Sequence, residues 1–276
     1  MTPAPFVPLS DGHQIPQLGY GVFKVDPEVA ADVTAQALTA GYRHVDTAKA
    51  YGNEDGVGRA IRESGLPRED VFVTTKLWDE DHAREDALAA FDASLDRLGL
   101  EYVDLYLVHW AKPSQGKHVE AWKTLVELKE QGRVHSIGVS NYPRPQLQEA
   151  IDATGVAPSV HQIELHPYFQ QHDLRATHAE HGIVTEAWGP LGQGKQGLLE
   201  DPTLVRIAHE HDATPAQVVL AWHLAEGIVA LPKSVTPSRI VENLESTQLE
   251  LSDEDLASIR ALDRPDGRGG ADPATR

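Results

Sequence analysis

Leu18-Gly-Tyr-Gly-Val-Phe-Lys-Val-Asp-Pro-Glu28 begins as a short β-branched and aromatic run and passes directly into a helix start. Asp26 precedes Pro27, a residue suited to the first helical position, and Glu28 adds a first-turn acid. A strand that feeds a helix in this way opens a βα unit, and two folds are built from such units. The open, doubly wound sheet usually carries a G-x-G-x-x-G phosphate fingerprint at this turn. Here Gly19 and Gly21 are followed by Val22, Phe23 and Lys24, so the third glycine is missing. No G-x-x-x-x-G-K-[ST] loop occurs elsewhere in the chain. The stretch favours a closed barrel.

Working outward, the first strand is read as Leu18–Phe23. Seven more follow at Tyr42–Asp46, Val71–Lys76, Val103–His109, Val134–Val139, Val160–Glu164, Ile183–Trp188 and Ile228–Pro232. Helical stretches separate them. Ala121, Trp122, Leu125 and Leu128 hold helical spacing, and Thr214-Pro215 and Thr236-Pro237 supply late helix starts. A hairpin-like opening, with a turn at Asp11-Gly12, precedes the first strand. Eight strand–helix units are the number that closes a (β/α)8 TIM barrel, so the fold class is α/β. One barrel domain is expected over residues 1–276, with Pro265–Arg276 as a C-terminal tail.

The chain has 24 Lys and Arg against 42 Asp and Glu, a formal net charge of −18. Such a surface repels nucleic acid and anionic membranes, and neither is expected as a partner. A small anion needs a local cluster of cations. Cysteine is absent, which removes disulfides, thiolate catalysis and Cys-bound zinc. The N-terminal stretch has no basic n-region or signal-like apolar run, and no segment approaches ~18 apolar residues. The expected compartment is cytoplasmic.

Chemically capable residues collect at the strand ends: Asp46, Lys76, His109, Ser140, Asn141, Gln162, Glu164, Trp188 and Lys233. In a parallel barrel those ends meet at one face, where the active site forms. Asp46 and Lys76, on adjacent strands, can neutralise each other, and a purely structural ion pair would look the same. Tyr51, on the loop after Asp46, tips the reading toward catalysis. A free tyrosine titrates near ~10. An ammonium ~4 Å away at an effective dielectric of ~20 is worth about 4 kcal/mol, enough to make Tyr51 a competent general acid. His109 can orient a bound carbonyl. Donors converging on one oxygen suit carbonyl reduction, with hydride supplied by a cofactor.

The motifs then become specific. Gly41-Tyr-Arg-His-Val-Asp-Thr-Ala-Lys-Ala-Tyr-Gly-Asn-Glu54 resembles the first signature of the aldo-keto reductases. Val73–Trp78, Val103–Trp110, Ser136–Asn141 and Gln162–Pro167 follow in that family's order, and Leu231–Asn243 resembles its cofactor-phosphate signature. The likeness runs from about Phe6 to Asp263. Ala187-Trp-Gly-Pro-Leu-Gly-Gln-Gly-Lys195 is most similar to the bacterial branch containing 2,5-diketo-D-gluconate reductase. The resemblance implies a catalytic tetrad of Asp46, Tyr51, Lys76 and His109, and NADPH/NADP+ as the cofactor. It implies Ser140, Asn141 and Gln162 on the nicotinamide carboxamide, with Trp188 on the ring and Gly189 and Leu191 along the pyrophosphate. Lys233, Ser234 and Arg239 would hold the 2′-phosphate, with Glu242 and Asn243 at the adenine end. Phe23, Trp78 and Trp110 would line the substrate pocket. Monomers are usual in the branch.

Weaker signals remain beside this reading. Lys49 is expected to be a solvated loop lysine. The acidic run Asp79-Glu-Asp81, near the rim, weighs against a strongly anionic sugar acid. Neutral aldehydes are therefore expected to be better substrates than anionic ones. His178 with His181, and His209 with His211, are read as surface histidines rather than metal ligands, and no metal is expected. The short tail is expected to leave the pocket open on one side, favouring small carbonyl substrates of several kinds. Two rivals stay open: an NADP(H)-binding redox sensor or regulatory subunit on the same fold, and a metal-dependent barrel hydrolase.

Overall fold

A computed structural model describes residues 4–276. An antiparallel hairpin, β1 (Phe6–Pro8) and β2 (Gln14–Pro16), comes first. The βα units then run β3 (Tyr20–Gly21), α1 (Pro27–Ala40), β4 (His44–Asp46), α2 (Glu54–Glu63), β5 (Phe72–Leu77), α3 (Arg84–Leu98), β6 (Val103–Val108) and α4 (His118–Glu130). They continue with β7 (Val134–Ser140), α5 (Arg144–Thr154), β8 (Val160–Glu164), α6 (His172–His181) and β9 (Val184–Trp188). The chain ends with α7 (Pro202–Glu210), α8 (Pro215–Ala225), β10 (Val229–Leu231), α9 (Pro237–Glu245) and α10 (Asp253–Arg260). Strands β3 to β10 pair in parallel in chain order.

The ring closes between its last and first strands. Leu18 bridges Ala230, the Gly19 N–H donates to the Ala230 carbonyl at 2.9 Å, and the Gly21 N–H donates to Pro232 at 3.1 Å. The expected strand Leu18–Phe23 is thus reduced to two residues and a bridge. Gly19 serves a close approach: a Cβ there would lie 2.6 Å from the His44 ring and 2.6 Å from Leu231. The Asp26 side chain accepts from the Glu28 N–H to start α1, and left-handed Gly41 ends it. Thr214 and Gln217 form a reciprocal capping box on α8.

Alternation along each strand sorts the chain. Val45, Val73, Tyr106 and Val108 pack outward with helix residues such as Val57, Phe91 and Trp122 in the main apolar cluster. Leu105, Leu107, Val160 and Val229 join Leu9 and Ile15, so the hairpin plugs the N-terminal end of the barrel. The same inward parity carries His44 and Asp46 on β4, Thr74 and Lys76 on β5, Gln162 on β8, and Glu186 and Trp188 on β9. Polar residues therefore fill the upper barrel, while apolar ones seal the bottom.

The tail departs from the expected open pocket. Beyond α10, Gly267 packs so closely on the Tyr168 carbonyl that a Cβ would fall 1.7 Å from it. Arg264 stacks on Tyr168 at 3.6 Å, and the Gly269 and Gly270 N–H groups donate to Glu164 at 2.7 and 3.0 Å. Arg276 reaches Trp110, its guanidinium 4.0 Å from the ring centre. Residues 265–276 form a strap across the mouth rather than a free tail.

Gly138 tests this packing, because a Cβ there would lie 2.3 Å from the Val160 carbonyl oxygen and 2.7 Å from Leu107. Overpacking of this kind costs about 1–3 kcal/mol. Gly138→Ala should lower the melting temperature by roughly 2–10 °C by calorimetry; an unchanged value would contradict the close strand packing.

Candidate active site

A fully buried ammonium lies at the centre of the mouth. Lys76 Nζ donates to both Asp46 oxygens at 2.7 Å and to the Thr47 carbonyl at 2.9 Å. An ammonium has three hydrogens, so these bonds use them all. Tyr51 Oη, 3.4 Å from Nζ, is then mainly an electrostatic neighbour, and its O–H is left to bond elsewhere. Burial alone would lower the Lys76 pKa, but Asp46 outweighs it and raises the value.

Tyr51 follows β4 on a single 3₁₀ turn, Lys49–Tyr51. Asn53 anchors that loop. It accepts from the Thr47 hydroxyl at 2.9 Å and donates to the Val22 and Val25 carbonyls at 3.0 and 3.2 Å. The Tyr51 ring contacts Phe23 at 5.0 Å and His109 at 5.6 Å between centroids. Lys76 does pull the phenol down, as expected, but burial outweighs it. Burial pushes Tyr51 up to about 12, and the ammonium opposes that only in part. His109 is held well below the usual histidine range by burial, with Lys76 and Arg276 adding to the shift. It is a neutral imidazole at physiological pH, and its Nδ1 is buried without a partner.

A polar shelf lies beside this group. Asn141, at a left-handed φ of 54°, donates to the His109 carbonyl at 3.1 Å and to Ser140 Oγ at 2.9 Å. Trp188 Nε1 donates to Asn141 Oδ1 at 2.8 Å. Gln162 Nε2 donates to Asp46 at 2.9 Å and to Glu186 at 2.7 Å. Gly189 is left-handed at φ 61°, and Leu191 lies partly exposed beyond it. Lys233 and Arg239 are exposed, and among the described residues neither has a carboxylate at ion-pair distance, which suits them to an incoming phosphate. Ser234, whose carbonyl accepts from Tyr20, lies between them. Glu242 is engaged by the Thr214 hydroxyl at 2.8 Å, and Asn243 is buried.

The rim corrects two expectations. Lys49 is not merely solvated: it pairs with Asp81. Asp79 is buried between Lys112 at 3.9 Å and Arg276 at 3.6 Å. Burial still raises its pKa, against the pull of both cations. The acidic run thus carries compensating charge, which the linear sequence could not display. Trp78 lies 5.2 Å from the His109 ring, and buried Trp110 has the Arg276 guanidinium 4.0 Å from its ring centre. Glu164 would be raised by burial, but His166 and the two glycine N–H groups hold it below its ordinary value. The carboxylate that pins the strap is therefore ionised at neutral pH.

Glu186 escaped the sequence reading. The only signal for it was its parity, two residues before Trp188 on the same face of the strand. His178 is also buried rather than surface-lying, bonded to His161 and Thr185 at 2.8 Å each, and His211 pairs with Asp255. Among the described residues no three potential ligands gather as a metal site, and no helix is long and apolar enough to cross a membrane. Two grooves, of about 480 and 720 Å³, are lined by none of Asp46, Tyr51, Lys76 or His109.

A parallel barrel with a buried lysine–carboxylate pair beneath a tyrosine at its mouth defines a class, and comparison with known proteins identifies it. The profile of the Aldo/keto reductase family matches residues 17–264, and the chain belongs to that family. It is 50% identical to an aldo-keto reductase of Mycolicibacterium smegmatis, over 99% of this chain and 98% of that protein. It is 46% identical to the methylglyoxal reductase DkgA of Escherichia coli K12, covering 97% and 96%. The crystal structure of a point mutant of Gox0644 in complex with NADPH superposes with a TM-score of 0.95 at 46% identity, covering 100% and 99%. The protein is an NADPH-dependent oxidoreductase acting on carbonyl groups.

Glu186 generates a pH prediction. Burial and the adjacent Asp46 push it up to about 8, far above an unfolded glutamate near 4.5. The folded state therefore favours the protonated form, and stability falls as pH rises from about 4.5 to about 8. Glu186→Gln removes this titration. Its advantage in melting temperature over wild type should grow across that window and level off above it; a constant difference from pH 5 to 9 would refute the assignment.

Proposed function

We propose that this mouth reduces small aldehydes, α-dicarbonyls and keto sugars to alcohols, with Tyr51 as the general acid. The observation that carries the reading is the Lys76 ammonium, its three hydrogens committed below and Tyr51 Oη 3.4 Å away. Bound NADPH supplies the hydride that reaches the carbonyl carbon. As the carbonyl π electrons move to oxygen, the Tyr51 O–H bond breaks and its proton forms the alcohol O–H. A phenol near 12 is still a far stronger acid than an alcohol, whose acidity is close to the ~15.7 of water. Transfer to an alkoxide is downhill without a depressed phenol. Lys76 stabilises the resulting phenolate, Asp46 keeps Lys76 charged and aimed, and neutral His109 orients the carbonyl oxygen by a hydrogen bond.

Ser140, Asn141 and Gln162 would receive the carboxamide, Trp188 the nicotinamide ring, and Gly189 and Leu191 the pyrophosphate passage. Lys233, Ser234 and Arg239 would meet the 2′-phosphate, with Glu242 and Asn243 near the adenine. Phe23, Trp78 and Trp110 would wall the substrate. The strap narrows this pocket, and Arg276 offsets the acidic rim, so the expected penalty on anionic substrates is withdrawn.

Tyr51→Phe should lower kcat by roughly 10²–10⁴-fold with methylglyoxal or a simple aldehyde, while leaving NADPH affinity nearly unchanged. Undiminished turnover would remove Tyr51 as the acid, and NADPH binding without turnover of any carbonyl would favour a redox sensor. NADPH affinity should weaken with salt and fall about 10–100-fold in Arg239→Ala by fluorescence titration. Arg276→Met should raise KM for 4-carboxybenzaldehyde and spare that for benzaldehyde; equal effects on the two would exclude a charge contact.

A further inference from the structure

Glu186 is fully buried on β9, and only one of its oxygens is satisfied. Oε2 accepts from Gln162 at 2.7 Å, while Oε1 has no partner. The groups facing it are His44 and Asp46 from β4, Lys76 from β5, Gln162 from β8, and Tyr51 from the loop above. His44 Nε2, at 3.8 Å, is held neutral by burial, with a pKa of about 3. Lys76 is committed to Asp46 and Thr47. A buried carboxyl in this position stabilises less than an apolar side chain of similar volume would. What it does contribute is the second acceptor for Gln162.

The consequence is one of hydrogen-bond polarity. A glutamine amide has two N–H donors and one carbonyl. Asp46 and Glu186 take both donors, and turning the amide over would set its carbonyl against the Asp46 carboxylate that already pairs with Lys76. Gln162 can therefore only accept from a ligand. Asn141 has both Nδ2 hydrogens engaged as well, while Ser140 Oγ accepts from it and keeps its own hydrogen to give. The shelf thus offers a donor at Ser140 and an acceptor at Gln162. A primary carboxamide, with its NH₂ and C=O, matches that pair in one of its two orientations.

We propose that Glu186 is a positioning residue which, by occupying the second Gln162 N–H, makes Gln162 an obligate acceptor and so fixes the orientation of the nicotinamide carboxamide. This rests on the proposed placement of the carboxamide at Ser140, Asn141 and Gln162. The 3-acetylpyridine analogue of NADPH replaces the carboxamide NH₂ with a methyl group, whereas the thionicotinamide analogue retains it. Wild-type protein, titrated by quenching of its tryptophan fluorescence, should bind NADPH and the thionicotinamide analogue similarly. It should bind the acetylpyridine analogue roughly tenfold more weakly, as expected when a buried acceptor goes unpaired. Glu186→Leu frees one Gln162 N–H to meet the acetyl oxygen, so the tenfold discrimination should shrink to about twofold or less. Its melting temperature at pH 8 should equal or exceed that of wild type. Equal binding of NADPH and the acetylpyridine analogue by wild type would overturn the proposal without any variant. Undiminished discrimination in Glu186→Leu would overturn it as well. Failure of wild type to bind NADPH at all would instead strike the underlying cofactor placement.

Discussion

Everything at the mouth depends on burying one positive charge. An isolated ammonium in a low-dielectric interior is costly by far more than the net stability of a domain. Lys76 is tolerated because Asp46 meets it with both oxygens and the Thr47 carbonyl takes the remaining hydrogen. Those partners come from one strand end and the residue beside it, so strands β4 and β5 must hold their register for the charge to survive. The same bond set dictates what the lysine can no longer do. With no hydrogen to spare, it acts on Tyr51 through its field, and the phenol keeps its own proton available for a ligand. Catalytic geometry and barrel integrity are one requirement here.

A second consequence is a division of electrostatic labour. The protein is strongly acidic overall, yet its mouth contains charge mainly in matched sets: Lys76 with Asp46, Lys49 with Asp81, and Asp79 between Lys112 and Arg276. Lys233 and Arg239 stand apart from these pairs. In the proposed placement a multiply charged phosphate ligand would meet these cations at the β10 end, while the charges around Lys76 are compensated. Such an arrangement separates affinity for the cofactor from the chemistry performed on the substrate.

The sequence made the barrel legible because its signals are local. Strand–helix alternation, Asp26-Pro27 and Thr214-Pro215 act within a few residues, and inward parity places Asp46 and Lys76 without tertiary information. What it hid was non-local. The strap is held by Arg264 on Tyr168, Glu164 on two distant glycine N–H groups, and Arg276 on Trp110. None of these partners is close in sequence. The ionisation of Tyr51 is hidden for a related reason: proximity to a lysine can be inferred from strand neighbours, but the depth of burial that outweighs it cannot. Glu186 is visible by parity, yet one acid in a strand carries no sign of the amide it will meet from β8. The proposed cofactor contacts rest on resemblance; what the structure adds is how Ser140, Asn141 and Gln162 are already hydrogen-bonded among themselves and their neighbours.

The strap also bears on how the protein is handled at the bench. Its final residues abut Trp78 and Trp110, and Gly270 lies so near Trp188 that a Cβ would fall 2.5 Å from the indole. Residues joined after Arg276 would lie beside Trp78 and Trp110, the side chains proposed to wall the substrate. If those tryptophans wall the substrate as proposed, kinetic constants measured on such a fusion would describe an altered pocket. The hairpin side, sealed by Leu9 and Ile15 at the opposite end of the barrel, is the better place for a handle.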